Sequence, residues 1–280
     1  MSSRSRVDPY LAAVLLVVFA LFLPKLVLAD THLYRELLTP RVLLTAGCAL
    51  KICALVIAAL LAGRVARSFA PGDAMRTGWW LATVWLGCWS LGQGYLGVYQ
   101  IGLGTSAPFP SGGDLFFILG YPAMIAAFAF FVHAMTTTGL VGPLRAQLVV
   151  ALAAALPAMV LLVFVLRPVV SADVAPAERA LNLAYPSLDV VALLPALLLA
   201  RFALRLAGGA VFFVWALLSL GIVCMVAGDL LYAWFSSLSF SALDPVLDVA
   251  FIAAYLLVAR AVFQQHRISV SVRAPPDEAR

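Results

Sequence analysis

Between positions 9 and 263 the chain is a succession of apolar runs of about 20 residues, separated by short patches that hold most of its charge. As a helix rising about 1.5 Å per residue, each run is long enough to cross the roughly 30 Å hydrocarbon layer of a bilayer. Composition agrees, since 64% of the 280 residues are hydrophobic and 11% charged, against about 25% charged in a soluble domain. Water cannot be the solvent for so much apolar surface, so lipid must be. The expected fold is all-α, a polytopic transmembrane helix bundle of about eight spans. These are placed at 9–29, 42–63, 79–101, 115–135, 147–166, 181–200, 211–235 and 245–263. Residues 1–270 then form a single transmembrane domain, and 271–280 a polar tail.

Arginine placement gives an orientation. Arg4, Arg6, Arg64, Arg67, Arg76, Arg145, Arg201, Arg205, Arg260, Arg267, Arg273 and Arg280 fall on one side of these spans. Arg35, Arg41, Arg167 and Arg179 fall on the other. By the positive-inside rule the larger set faces the cytoplasm, with both termini and the tail on that side. The net charge of +5 is thereby explained by topology, and nucleic acid is not expected as a partner. A rival reading makes the first run a cleavable secretory signal ending near Ala29, which would leave seven spans. Cys48, Cys53, Cys88 and Cys224 lie in apolar runs without metal-ligand spacing and are expected to be packing residues.

The chain also echoes itself, with halves at 1–140 and 141–270. Leu60 to Arg67 matches Leu198 to Arg205, a register that sets Lys51 against Asp189. Gly92 to Tyr95 and the Asp114–Tyr121 pair match Asp229 to Tyr232 and the Asp248–Tyr255 pair; each aspartate stands seven positions before its tyrosine. Four spans per half make these parallel repeats about an axis along the membrane normal.

A charge at the centre of a membrane helix costs about 2.5–3.5 kcal/mol on insertion scales, so such residues need a partner, a water-filled cavity or a role. Lys51, Asp114, Asp189, Asp229 and Asp248 are of this kind, and the four acids fall toward one half of the membrane. With Tyr121, Tyr185, Tyr232 and Tyr255 they form the candidate ligand-binding set, a polar cavity open to the outer side. The plainer alternative pairs Lys51 with an aspartate, Asp189 first, and uses Asp114 and Asp248 to cap helix starts. Trp85, Trp89, Tyr95, Tyr99, Phe109, Phe116, Phe117 and Trp234 either line that cavity or form an interfacial belt. Pro110, Pro122, Pro186, Pro195 and Pro245 would open helices beside it.

Several chemistries find no support. Ser111-Gly112-Gly113-Asp114-Leu115 has leucine where a cyclase turn needs glutamate. The glycines from Gly92 to Gly104 follow no strand, so they are expected to allow close helix packing rather than to cradle phosphate. His32, His133 and His266 form no metal-binding pair, and the last span has no lysine for a retinal Schiff base. No catalytic residue, metal or cofactor is assigned, and an enzyme is the weaker expectation.

The stretches from Pro108 to Pro122 and from Leu181 to Asp189, and Leu243 to Asp248 with Tyr255, resemble the multi-pass N-terminal membrane domains of some bacterial diguanylate cyclases and cyclic-di-GMP phosphodiesterases. The resemblance implies a sensory module in the bacterial inner membrane, followed by a cytoplasmic output domain. Only about 17 residues follow Phe263 in this sequence, so the expected output is a separate cytoplasmic partner or a missing domain. The bilayer and a small extracytoplasmic ligand are the other expected partners. A small-solute or ion transporter gated by Lys51 and Asp189, or a lipid-modifying membrane enzyme, remain as alternatives; the sequence does not set the oligomeric state.

Overall fold

Proline decides how the first apolar run ends. In the computed structural model, helix α1 (Pro9–Phe22) stops at Leu23-Pro24 and a single turn, α2 (Lys25–Leu28), follows. Pro24 lacks an N–H and its ring crowds the preceding turn, so the run expected as one span is a 14-residue helix and a turn. The structure describes residues 9–28, 30–105, 107–137, 144–171, 173–206, 209–237 and 244–273. Arg4, Arg6, Arg280 and the tail beyond Arg273 lie outside them.

Helix α3 (Pro40–Ala66) has Pro40 in its first turn, and the Thr39 hydroxyl accepts from the Val42 N–H at 3.3 Å. The Asp73 carboxylate starts α4 (Ala74–Gly97) by accepting from the Met75 N–H at 2.8 Å. A π-helical stretch, Val98–Leu103, extends α4 as far as Gly104, whose φ of 68° reverses the chain in the left-handed region. Then come α5 (Gly112–Thr137), α6 (Leu144–Ser171), α7 (Pro176–Arg205), α8 (Ala210–Ser237) and α9 (Asp244–Arg273).

Six of these, α3 and α5 to α9, are long and apolar enough to cross a membrane. The two expected spans outside that set are α1, which is short, and α4. Helix α4 has 24 residues, but tryptophan, glycine, serine and glutamine take many places that leucine and valine hold elsewhere. Large side chains such as Leu60 (64% exposed), Val163 (68%) and Leu204 (69%) point outward. Only lipid covers such a surface without penalty. The chain is a multi-pass, all-α membrane protein.

The helices close into a ring. Neighbour follows neighbour as α3, α4, α5, α7, α8 and α9, and α9 returns to α3; α1 packs outside on α9, and α6 outside on α7 and α8. In that order α3 faces α7, α4 faces α8 and α5 faces α9. The middle is filled with fully buried Trp79, Trp85, Phe128, Phe131 and Trp215, and Trp79 and Trp215 meet across it at 6.4 Å. Glycine lets α4 and α5 approach this closely. A Cβ on Gly78 would stand 2.5 Å from the Phe131 ring, and one on Gly120 would overlap the Trp89 indole nitrogen.

Candidate functional site

Where α5 and α9 begin and α8 ends, the ring parts around a cavity of about 440 Å³. All six ring helices contribute to its wall. Lys51 comes from α3, Trp89, Gln93 and Gln100 from α4 and its extension, and Asp114, Phe117 and Tyr121 from α5. Asn182 and Tyr185 come from α7, Asp229 and Tyr232 from α8, and Asp248, Phe251 and Tyr255 from α9. The segment before α5 adds Phe109 and Ser111.

Eight of the nine candidate residues named from sequence therefore line one cavity. The ninth, Asp189, is fully buried behind the wall, where it accepts a 2.6 Å hydrogen bond from the Tyr121 hydroxyl. Asp189 and Asp229 are neighbours, Asp229 on the cavity wall and Asp189 behind it. The other Asp189 oxygen, Oδ2, receives no donor from the described residues.

Lys51 does not pair with Asp189. Its Nζ lies 3.0 Å from Asp248 Oδ1, because α3 adjoins α9 in the ring and faces α7 across it. Asp248, a turn inside α9, serves that ion pair and does not cap the helix. Asp114 behaves differently. Ser111 donates to Asp114 Oδ2 from its backbone N–H at 2.6 Å and from its hydroxyl at 2.8 Å, a reach back to the helix start like that of a capping box. Tyr185 donates to the second oxygen, Oδ1, at 2.8 Å. Asp114 thus caps α5 and ties it to α7 while facing the cavity.

The aromatic wall is continuous. The Trp89 ring lies 5.6 Å from Tyr121, 6.0 Å from Tyr255 and 6.4 Å from Phe117, and Tyr121 lies 6.2 Å from Tyr185. Trp85 sits beneath, edge-on to Trp89 at 5.5 Å. Tyr95, Tyr99, Phe116 and Trp234 do not line the cavity; Tyr95 and Tyr99 pair with each other.

Sequence reasoning missed the uncharged polar residues Gln93, Gln100 and Asn182. A signal existed: Trp89, Gln93, Leu96 and Gln100 recur at helical spacing on one face, and amides are scarce in these apolar runs. Gln93 is 6% exposed; its Nε2 makes a long 3.5 Å contact to the Tyr255 hydroxyl and its Oε1 has no donor.

Comparison of the chain with protein-family models, with curated proteins and with solved structures gives no match.

The arrangement holds three carboxylates, one ammonium and an aromatic lining in a space sized for a small molecule.

Proposed function

We propose that the chain is a membrane sensory module that binds a small ligand in this cavity and passes its occupancy to a cytoplasmic partner or output domain through helix packing. The observation that carries the reading is the convergence of all six ring helices on one cavity. A ligand touching all of them changes the relative energy of any two ring packings, which is what a receptor needs. The arginine asymmetry puts the cavity on the outer side and the ends of α3, α7 and α9 in the cytoplasm. The resemblance to sensory domains of bacterial cyclases points the same way and supplies the inner-membrane location.

One feature favours sensing over transport. Beneath the cavity the ring is filled by Trp79, Trp85, Phe128, Phe131 and Trp215, so the cavity ends at a packed centre. Reconstituting the chain in proteoliposomes and screening small solutes by thermal shift separates the readings. A receptor is stabilised by its ligand without carrying it across the bilayer. Solute-dependent flux would replace the sensor with a transporter, and no stabilisation by any cationic, anionic or neutral solute would remove the cavity as a binding site.

A further inference from the structure

The cavity's polar groups are unevenly satisfied. Asp248 has Lys51, and Asp114 has Ser111 and Tyr185. Asp229 has the acid Asp189 and the tyrosines Tyr121, Tyr185 and Tyr255 around it, and no ion pair among the described residues involves either acid. Asp189 is fully buried while Asp229 is half-buried on the cavity wall, and two neighbouring acids favour a positive charge beside them.

Gln93 also lines the cavity, and its Oε1 is buried without a donor among the described residues. A buried acceptor left unpaired costs about 1–3 kcal/mol. Gln100, whose Oε1 is likewise buried without a donor among the described residues, also lines the cavity, while the unpartnered indole nitrogens of Trp79, Trp85 and Trp215 belong to the packed centre and do not. Lys51, the cation that lines the cavity, is taken by Asp248, so among the described residues Asp229 has no cation of its own and the Gln93 oxygen has no N–H. What it has in excess is aromatic surface, in Trp89, Tyr121 and Tyr255, which attracts cations through the ring quadrupole.

Resting on the reading of the cavity as a ligand site, we infer that this wall binds a small organic monocation bearing N–H donors, a primary ammonium or a guanidinium. Asp229 is its counter-ion, the Gln93 oxygen accepts one N–H, and Trp89 and Tyr255 cover its apolar part. Charge alone would admit a quaternary ammonium equally well; the unpaired acceptors select the N–H.

The full chain in nanodiscs, titrated calorimetrically with butylamine, butylguanidine, tetramethylammonium, butanol and butyrate, tests this. The two N–H cations should bind at least about tenfold more tightly than tetramethylammonium, with butanol and butyrate weaker still. Asp229→Asn should weaken the amines by about thirtyfold or more. Gln93→Met, which keeps volume and removes the acceptor, should erase the preference over tetramethylammonium while charge selection persists, so the two variants report separately if one fails to fold. Equal binding of tetramethylammonium, amine binding untouched by Asp229→Asn, or proton uptake alone overturns the inference. Tight butyrate or butanol binding also overturns it while leaving the cavity a ligand site, and binding of no solute in a broader screen removes both.

Discussion

The two ends of the ring carry their polar residues in opposite ways. At the cavity end, bonds join distant parts of the chain: Lys51 and Asp248 are 197 positions apart, Tyr185 and Asp114 71, and Tyr121 and Asp189 68. At the other end, Arg64, Arg67, Ser68, His266, Ser269 and Val270 surround a shallow hollow of about 280 Å³, and bonding is mostly local. Arg76 donates to the Phe69 carbonyl at 3.2 Å, Arg260 to Gln264 at 3.1 Å, and Arg67 lies over the Trp80 ring at 5.4 Å. The Arg201 guanidinium, bonded to Gln147 of α6, reaches farther. A charge that stays at an interface needs no distant partner; a charge inside the ring does. The cavity end should therefore govern both stability and ligand binding, and the arginine end neither.

The largest effect is expected where packing leaves no room. Gly120→Leu drives a side chain into the Trp89 indole, which itself donates to the Phe117 carbonyl at 3.1 Å. Overpacking of this kind costs about 3 kcal/mol, read as a lowered unfolding midpoint in detergent. Gly94→Ala, a position with nothing within 4 Å, serves as the control and should lose nothing. Equal losses at both would mean that α4 and α5 are not held as closely as described.

Next comes the buried ion pair. Lys51 has 9% of its side chain exposed and Asp248 28%, so Lys51→Met strands a carboxylate and should destabilise by about 3 kcal/mol. Adding Asp248→Leu should restore most of that loss, because two apolar residues of similar size tolerate the site. Additive losses in the double variant would show that the pair is not coupled.

Sequence and structure agree where polarity alone decides, and part where neighbours decide. Lipid as solvent, an all-helical fold and the gathering of Lys51, Asp114, Asp229 and Asp248 at one cavity follow from apolar runs interrupted by rare charges. Which acid Lys51 meets does not follow, because register between repeats says nothing of ring order: α3 adjoins α9, so Asp248 is the partner and not Asp189. The break in the first run does not follow from hydropathy either, because a hydropathy count passes over Pro24, where the helix is interrupted. Gln93 escaped notice because an amide among glycines reads as packing filler; only its burial with an unpaired oxygen gives it meaning.

A smaller effect is expected at Tyr121. Tyr121→Phe removes the hydroxyl that Asp189 accepts from and leaves that acid with no neutral donor. The loss should be about 1–2 kcal/mol, smaller in the Tyr121→Phe, Asp189→Asn double variant than in the sum of the singles. A neutral result would show that the Asp189–Asp229 contact alone satisfies the pair.

The sharpest check on the contrast is the smallest expected change. Arg64→Gln with Arg67→Gln removes two exposed charges from the hollow at the arginine end. Exposed charges of this kind contribute about 1 kcal/mol or less, so the unfolding midpoint should barely move and amine binding at the distant cavity should stay unchanged. What should respond is orientation, since in the proposed topology these arginines belong to the set that faces the cytoplasm; protease accessibility of an appended C-terminal tag reports it. If instead binding at the cavity shifted several-fold while orientation held, the arginine end would be coupled to the ligand site. The two ends would then be one switch rather than two separately built surfaces.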